Sequence, residues 1–514
     1  MTVASDKLLY SGADWTFEAI KRVYEAIEEL AAAELDLELY PTQIEVITSE
    51  QMLDAYSSVG MPLMYRHWSF GKRLLQDEVL YRRGARGLAY EIVINSNPCI
   101  CYVMEENSMT MQTLVIAHAA FGHNHFFKSN HLFRQWTDAA GIIDYLDFAK
   151  RYIADCEVRH GASSVERILD AAHAVMTQGV HRYPKARAIN LTREREREIE
   201  RQRYEEETYN DLWRTVPGRT SSARTLDNVA KRRQALGLPE ENVLYFLEKR
   251  APKLQPWQRE ILRIVRTLAQ YFYPQKQTKM MNEGCATWVH YWIMNRLHAS
   301  GRIDDGAMLE FLHAHTSVVF QPDFDDPRHT GVNPYALGYA MMEDIARISD
   351  DPTDEDREWF PEIAGRGDAI GVLKDAWSHY RDESFILQYL SPRIMRRFRF
   401  FKLRDDASQP HLVVDAIHDE RGYRAIRQAL ARKYDLARIE PDIQVVDVDL
   451  AGERKLMLQH RVEDGTLLEP AEARAVLHHI ADLWGYPVEL VESDAASDAI
   501  LKRHDEVAPR REIS

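Results

Sequence analysis

Apolar residues near the start of the chain line up on one side of a helix. Trp15, Phe17, Ile20, Val23, Tyr24, Ile27 and Leu30 form a stripe over residues 14–36, with Asp14 in the N-cap position. Residues 91–102, EIVINSNPCICY, are rich in Ile and Val and predict a strand broken at Pro98. Residues 109–121, MTMQTLVIAHAAF, return to a helical pattern, which dominates through Gln178. Helices resume at Pro256, run to about Arg302, and continue until Phe385. After about Phe398 the pattern changes. Apolar runs at 398–403, 411–417, 443–450, 454–462 and 487–492 predict strands, and 420–434 and 470–484 predict helices between them. The order β-β-α-β-β-α-β predicts an antiparallel sheet covered by two helices. The expected fold class is α+β: a mainly helical body over 1–395, a C-terminal α+β domain over 396–493, and a loose polar tail over 494–514.

Two further stretches are read from polarity. Residues 192–207, TREREREIERQRYEEE, place opposite charges at helical spacing, which suits a solvated helix or one that docks a partner. Residues 216–242 hold Pro217, Gly218, Gly237 and Pro239 and predict an exposed connection.

Composition narrows the function classes. A net charge of −15 on 514 residues argues against nucleic-acid or anionic-membrane binding across the whole surface. No apolar run approaches the roughly 20 residues of a membrane span. The N-terminus lacks a basic segment followed by an apolar one, so no secretory signal is expected. Four scattered cysteines without a CxxC pair suit a reducing cytoplasm.

Candidate chemistry sits in histidine-rich segments. HAAFGHNHFFKSNH carries His118, His123, His125 and His131; MNEGCATWVHYW carries Glu283 and His290; CEVRH carries Glu157 and His160. Imidazole and carboxylate are the usual ligands of zinc, iron and manganese. Glu157 and His160 stand at i, i+3, on one helix face as in di-metal bundles. His118 and His123 present a phase problem. On a regular helix they are about 140° apart, and His118 and His125, though in phase, lie about 10.5 Å apart. Sharing one metal therefore predicts a break or bulge near Gly122 that turns His118 and His123 toward Glu283. The bland alternative is a buried polar helix whose histidines bond to one another or to backbone. Glu283 and His290, seven apart, share a face that is costly to bury unpaired. His313, His315 and Gln321, the NPYALG turn at 333–338, and Glu383 with Gln388 read as structural.

The segment also stands near the zincin pattern, His-Glu-x-x-His, in which the Glu is general base. Here His118 and His123 are one residue further apart and the Glu is missing; Asn282-Glu283-Gly284 resembles the downstream helix that gives some zincins their third ligand. Glu157 or Glu106 is the expected replacement base. On this reading His118, His123 and Glu283 are metal ligands, with His290 and His160 as supporting groups or ligands of a second ion, and zinc is the first expectation, iron or manganese the next.

Taken together, YEIVINSNPC, CYVMEENSMTMQTLVIAHAAFGHNHFF, DCEVRHG, KMMNEGCATWVHYW, GVNPYALG and RDESFILQYLSPR resemble the SpoVR family over nearly the full length. The resemblance implies a role in spore cortex formation, or a stress or stationary-phase role where the host does not sporulate. It also implies a shared pathway with a PrkA-type serine protein kinase and a von Willebrand A-like protein. Two functions follow as expectations: a metal-dependent hydrolase of peptide or amide bonds, or a non-catalytic regulator or adaptor acting with the kinase system.

Overall fold

The computed structural model describes residues 8–57, 64–68, 91–182, 236–404, 408–411, 413–416, 419–449 and 452–510. The charged run at 192–207 lies outside the described residues, and the connection at 216–242 is described only from residue 236. The chain divides into two compact units, one of residues 1–155 and 271–439 and one of residues 156–270 and 440–514.

In the first unit the stripe near the N-terminus folds as predicted, with two corrections. Helix α1 is Phe17–Leu30, and its N-cap is Thr16, whose hydroxyl accepts the Ala19 N–H; Asp14 lies outside. Ile20, Val23, Ala26 and Ile27 are buried, but Phe17 is 73% exposed and does not belong to the buried stripe. The predicted broken strand becomes two. Strands β1 (Thr42–Ile47), β2 (Glu91–Ile94) and β3 (Cys99–Met104) form a sheet in the order β1-β3-β2, with Asn97 and Pro98 in the turn between β2 and β3. β1 runs parallel to β3, and β2 is antiparallel to it with Glu91 opposite Val103.

Next comes helix α2 (Met109–Ile116), capped by Ser108, then a π-helical turn (Ala117–His123), then helix α3 (Asn124–Ser129). Four long helices enclose this segment and the rest of the core: α4 (Lys279–Ala299), α5 (Asp305–Val318), α6 (Pro334–Asp350) and α7 (Ala369–His379). A short helix, α8 (Asp382–Tyr389), abuts the start of α4. A two-stranded pair, β4 (Lys402–Arg404) and β5 (Val413–Ala416), and the helix Glu420–Arg432 complete the unit. One continuous apolar core runs from Val23 and Ile27 through Phe121 and Val289 to Met342, Trp377 and Phe385.

Helix α4 is buried on most sides, which leaves its polar needs to its neighbours. Thr278 at its start offers no side-chain cap. The cap comes instead from Asp382 of α8, whose two oxygens accept the Met280 and Met281 N–H groups at 2.8 and 2.9 Å. Burial pushes the Asp382 carboxyl up to about 7, against the pull of those two N–H groups. Asp382→Ala leaves two buried donors unpaired and should cost about 2–3 kcal/mol in denaturant unfolding. Asp382→Asn keeps one acceptor without a buried charge and should cost distinctly less. Equal losses would show that the cap contributes little.

The second unit holds the four-stranded sheet in the order β6-β7-β8-β9, from β6 (Asp442–Val448), β7 (Leu456–Val462), β8 (Val488–Asp494) and β9 (Ile500–Arg503). The sheet is mixed rather than antiparallel. β6–β7 and β8–β9 are antiparallel, but β7 and β8 are parallel, pairing Leu456 with Val488 and Leu458 with Leu490. The helix Pro470–Trp484 supplies the crossover that a parallel pair requires. β9 lies in the segment whose polarity reads as a loose tail; edge pairing to β8 satisfies its backbone without an apolar run. Ala162–Ala174 packs on the crossover helix, and Phe246 meets Trp484 with ring centres 5.9 Å apart. Among the described residues no helix is long and apolar enough to cross a membrane.

Candidate metal centre

The bulge expected near Gly122 is present, as the π-helical turn over Ala117–His123. Asn124 N–H donates to Ala119 O, five residues back. That wider turn brings residues five apart one above the other, and the His118 and His123 rings meet edge to face with centres 4.6 Å apart. Small residues allow it. A Cβ at Gly122 would stand 2.5 Å from Ala286 Cα, so the backbone of the turn lies against α4. α4 in turn lies against α6 at Gly284 and Gly338, where a Cβ on Gly338 would stand 2.4 Å from Met280 O. This glycine-lined contact sets the depth at which Glu283 enters the site.

Three separate elements deliver the side chains. His118 Nε2 is 3.3 Å from Glu91 Oε1 of β2 and 3.8 Å from Glu283 Oε2 of α4. His123 Nε2 is 3.5 Å from the same Glu283 oxygen. Glu91, His118 and His123 offer ligand atoms within 4.8 Å of one another. The imidazoles are buried, while the two carboxylates keep 15% and 16% of their side chains exposed, a narrow opening to solvent. Each imidazole also has its far nitrogen engaged. His123 Nδ1 is 2.8 Å from Asn282 Oδ1, which can only accept, so its proton is on Nδ1 and its Nε2 lone pair faces Glu283. His118 Nδ1 is 2.9 Å from His290 Nδ1. Tyr335, the first residue after the Pro of NPYALG, stacks over His118 at 6.3 Å.

Glu283 Oε2 is buried without a hydrogen-bond partner. A carboxylate retained for structure looks different in the same protein. Glu492, in the second unit, accepts from His460 at 2.9 Å, His504 at 2.7 Å and Leu468 N–H at 2.9 Å. Buried carboxylate oxygens are ordinarily paired in that way, so the bare Glu283 oxygen between two imidazole nitrogens fits a cation. The donor set, two neutral imidazoles and hard carboxylate oxygens, suits zinc, iron or manganese.

The charges in the cluster pull against one another. Burial pushes the Glu91 carboxyl up; His118 lowers it and Glu283 raises it further. Burial would raise Glu283 too, but His118 and His123 beside it, with Tyr335, hold it below the usual range. Burial draws His118 down, yet Glu91 and Glu283 outweigh it and leave the imidazole above its ordinary value. Burial, with His118 adding to it, takes His123 down to about 4. A ligating imidazole must be deprotonated. Cation affinity should therefore weaken by about tenfold per pH unit once pH falls below the raised pKa of His118, and more steeply near pH 4, where His123 joins. Titrating a cation at several pH values checks this; a flat response between pH 7 and pH 5 contradicts it.

The remaining sequence-predicted residues are dispersed. His290 stands behind His118, and its other nitrogen is 3.0 Å from His315 Nδ1. His160 and Glu157 belong to the second unit, on the helix Ile142–His160; His160 is exposed and stacks on Trp257 at 4.4 Å. Glu106 is exposed and accepts from Ser49 N–H at 3.4 Å. His125 accepts from Glu38 N–H, and His131 bonds Ser378 O. Glu91 was not singled out from the sequence. The available signal was a carboxylate heading an otherwise apolar strand, EIVI, on the same face as Val93.

The first unit is thus an α+β assembly built around a buried His/Glu cluster that fits a divalent cation. Residues 14–439 match the family model described as SpoVR like protein, and residues 441–495 match the SpoVR-like C-terminal domain. The chain belongs to the SpoVR family. It is 53% identical over 482 residues, 94% of this chain and 93% of its relative, to "Uncharacterized protein YcgB" of Escherichia coli (strain K12). No solved structure matches it.

Proposed function

We propose that the chain is a metal-dependent hydrolase of peptide or amide bonds, with one divalent cation, zinc before iron or manganese, held by His118, His123 and Glu283. The observation that supports it is the unpartnered Glu283 Oε2 facing two imidazole nitrogens. Two imidazoles and one carboxylate leave a coordination position open for water or substrate. A cation there supplies Lewis-acid polarisation of a carbonyl and a water activated near neutral pH.

The chain's own groups do the rest. Glu91 takes the place of the base that the His118–His123 segment lacks. It lies 3.3 Å from His118 Nε2, keeps an exposed edge, and has a carboxyl raised by burial, which suits accepting a proton and returning it to a leaving amine. Glu106, whose carboxylate accepts from Ser49 N–H, is the weaker candidate for that role. Asn282 and His290 orient the two imidazoles from behind. Family membership also supports proposing a cytoplasmic role in sporulation or stress physiology alongside a PrkA-type serine protein kinase and a von Willebrand A-like protein.

The test separates the two carboxylates. Metal-stripped and zinc-, iron- or manganese-loaded protein is assayed against a panel of peptide and amide substrates. Cleavage should require the cation and should fall by about 100-fold or more in Glu91→Gln, which should still bind metal. Glu283→Gln should lose both. A Glu91→Gln protein that loses metal as fully as Glu283→Gln would make Glu91 a ligand instead. Metal-loaded protein that cleaves nothing in the panel, while co-purifying with the kinase, would favour the adaptor role.

A further inference from the structure

We propose that His290 and His315 form an imidazole wire that holds His118 in the tautomer able to ligate a cation, with His315 a positioning residue two rings away from the cluster. The inference rests on the metal-centre reading and deepens it.

His118 Nδ1 and His290 Nδ1 are 2.9 Å apart, and His290 Nε2 and His315 Nδ1 are 3.0 Å apart. The three residues are 3%, 1% and 4% exposed, so water does not compete for these bonds. They come from three elements: the π-helical turn, α4 and α5. A neutral imidazole has one donor and one acceptor nitrogen, and each link needs one of each. Only two proton arrangements satisfy both links. In the first, His118 donates from Nδ1, His290 donates from Nε2, and His315 accepts at Nδ1; His118 Nε2 then carries a free lone pair toward Glu283 and Glu91. In the second, every proton is reversed. His315 donates, His290 passes the reversal on, and His118 Nε2 holds its proton in the ligand position. The tautomer of His315 is thereby tied to that of His118: whenever His315 Nδ1 accepts, His118 Nε2 is free to ligate.

Ring packing keeps the wire in register. His290 lies edge-on to Phe311 at 5.9 Å, and His315 sits between Tyr291 at 4.8 Å and Tyr339 at 4.9 Å. An aromatic substitution at 315 therefore fills the space without offering an acceptor. This permits a test that separates wiring from packing.

The experiment is titration of purified full-length protein with cobalt(II) in competition with a chromophoric chelator. It records affinity and the visible absorption of bound cobalt, with circular dichroism as the folding control. Loss of a group that orients a ligand typically weakens a metal by about 10–100-fold. His290→Leu should fall in that range, and His315→Phe should fall near its lower end, about tenfold. His315→Gln should recover most of the loss, because its amide oxygen can accept from His290 Nε2. If His315→Phe does not fold, His315→Leu takes its place. Cobalt binding by the wild type with equal affinity in His315→Phe and His315→Gln overturns the wire and leaves the metal centre standing. No cobalt binding by folded wild type overturns both.

Discussion

His118→Gln should lower the metal content of the folded protein from about one ion per chain to almost none. The loss of affinity should be at least about 100-fold, beyond what removing an orienting group causes. His118 Nε2 faces Glu91 and Glu283 at 3.3 and 3.8 Å, and among the described residues the other imidazole nitrogen facing that Glu283 oxygen is on His123. Gln is close in size to His and can still bond His290 through its amide, so the apolar helix around it keeps its packing. His118→Ala would confound the result by leaving a hole among His123, His290 and Tyr335. Circular dichroism and urea midpoint should remain near wild type when both proteins are compared without metal. A Gln variant that keeps its full complement of metal would remove His118 from the ligand set.

Gly122→Val should be among the most damaging single substitutions in the first unit. A Cβ there meets the Ala286 backbone at 2.5 Å, and a backbone atom cannot swing aside as a side-chain tip can. Overpacking ordinarily costs about 1–3 kcal/mol, and a branched side chain against backbone should exceed that range. Relief comes by pushing the π-helical turn away from α4, which also separates His118 and His123 from Glu283. Stability and metal affinity should therefore fall together. Gly122→Ala should show the same coupling at smaller amplitude. Pairing it with Ala286→Gly should restore only part of the loss, because Ala286 Cβ is removed and its Cα remains. Loss of stability with metal affinity unchanged would show that the turn does not position the histidines.

Parts of this arrangement were legible in the chain because they are local. The phase mismatch between His118 and His123 required a non-α turn, and small residues at Ala119, Ala120 and Gly122 permit one. Glu283 was identifiable because an inward carboxylate on an apolar helix has to find a partner. Glu91 was missed because its importance arises from strand pairing and from β2 packing on the π-helical turn, contacts that periodicity does not encode. An i, i+3 pair such as Glu157 and His160 defines a helix face but not whether that face is covered, and here it lies beside the exposed Val158 and Arg159. The strands of the second unit were marked by their apolar runs. The parallel pairing of β7 with β8 was not, because direction follows from how the intervening helix returns the chain.

The proposed hydrolase requires a metal bound in the His118–His123–Glu283 cluster. Elemental analysis of the folded protein, grown with ample zinc, iron and manganese, should find about one ion per chain in the wild type, and almost none in His118→Gln and Glu283→Gln of matching circular dichroism. Folded wild-type protein without stoichiometric metal would contradict it and return the histidines to structural hydrogen bonding.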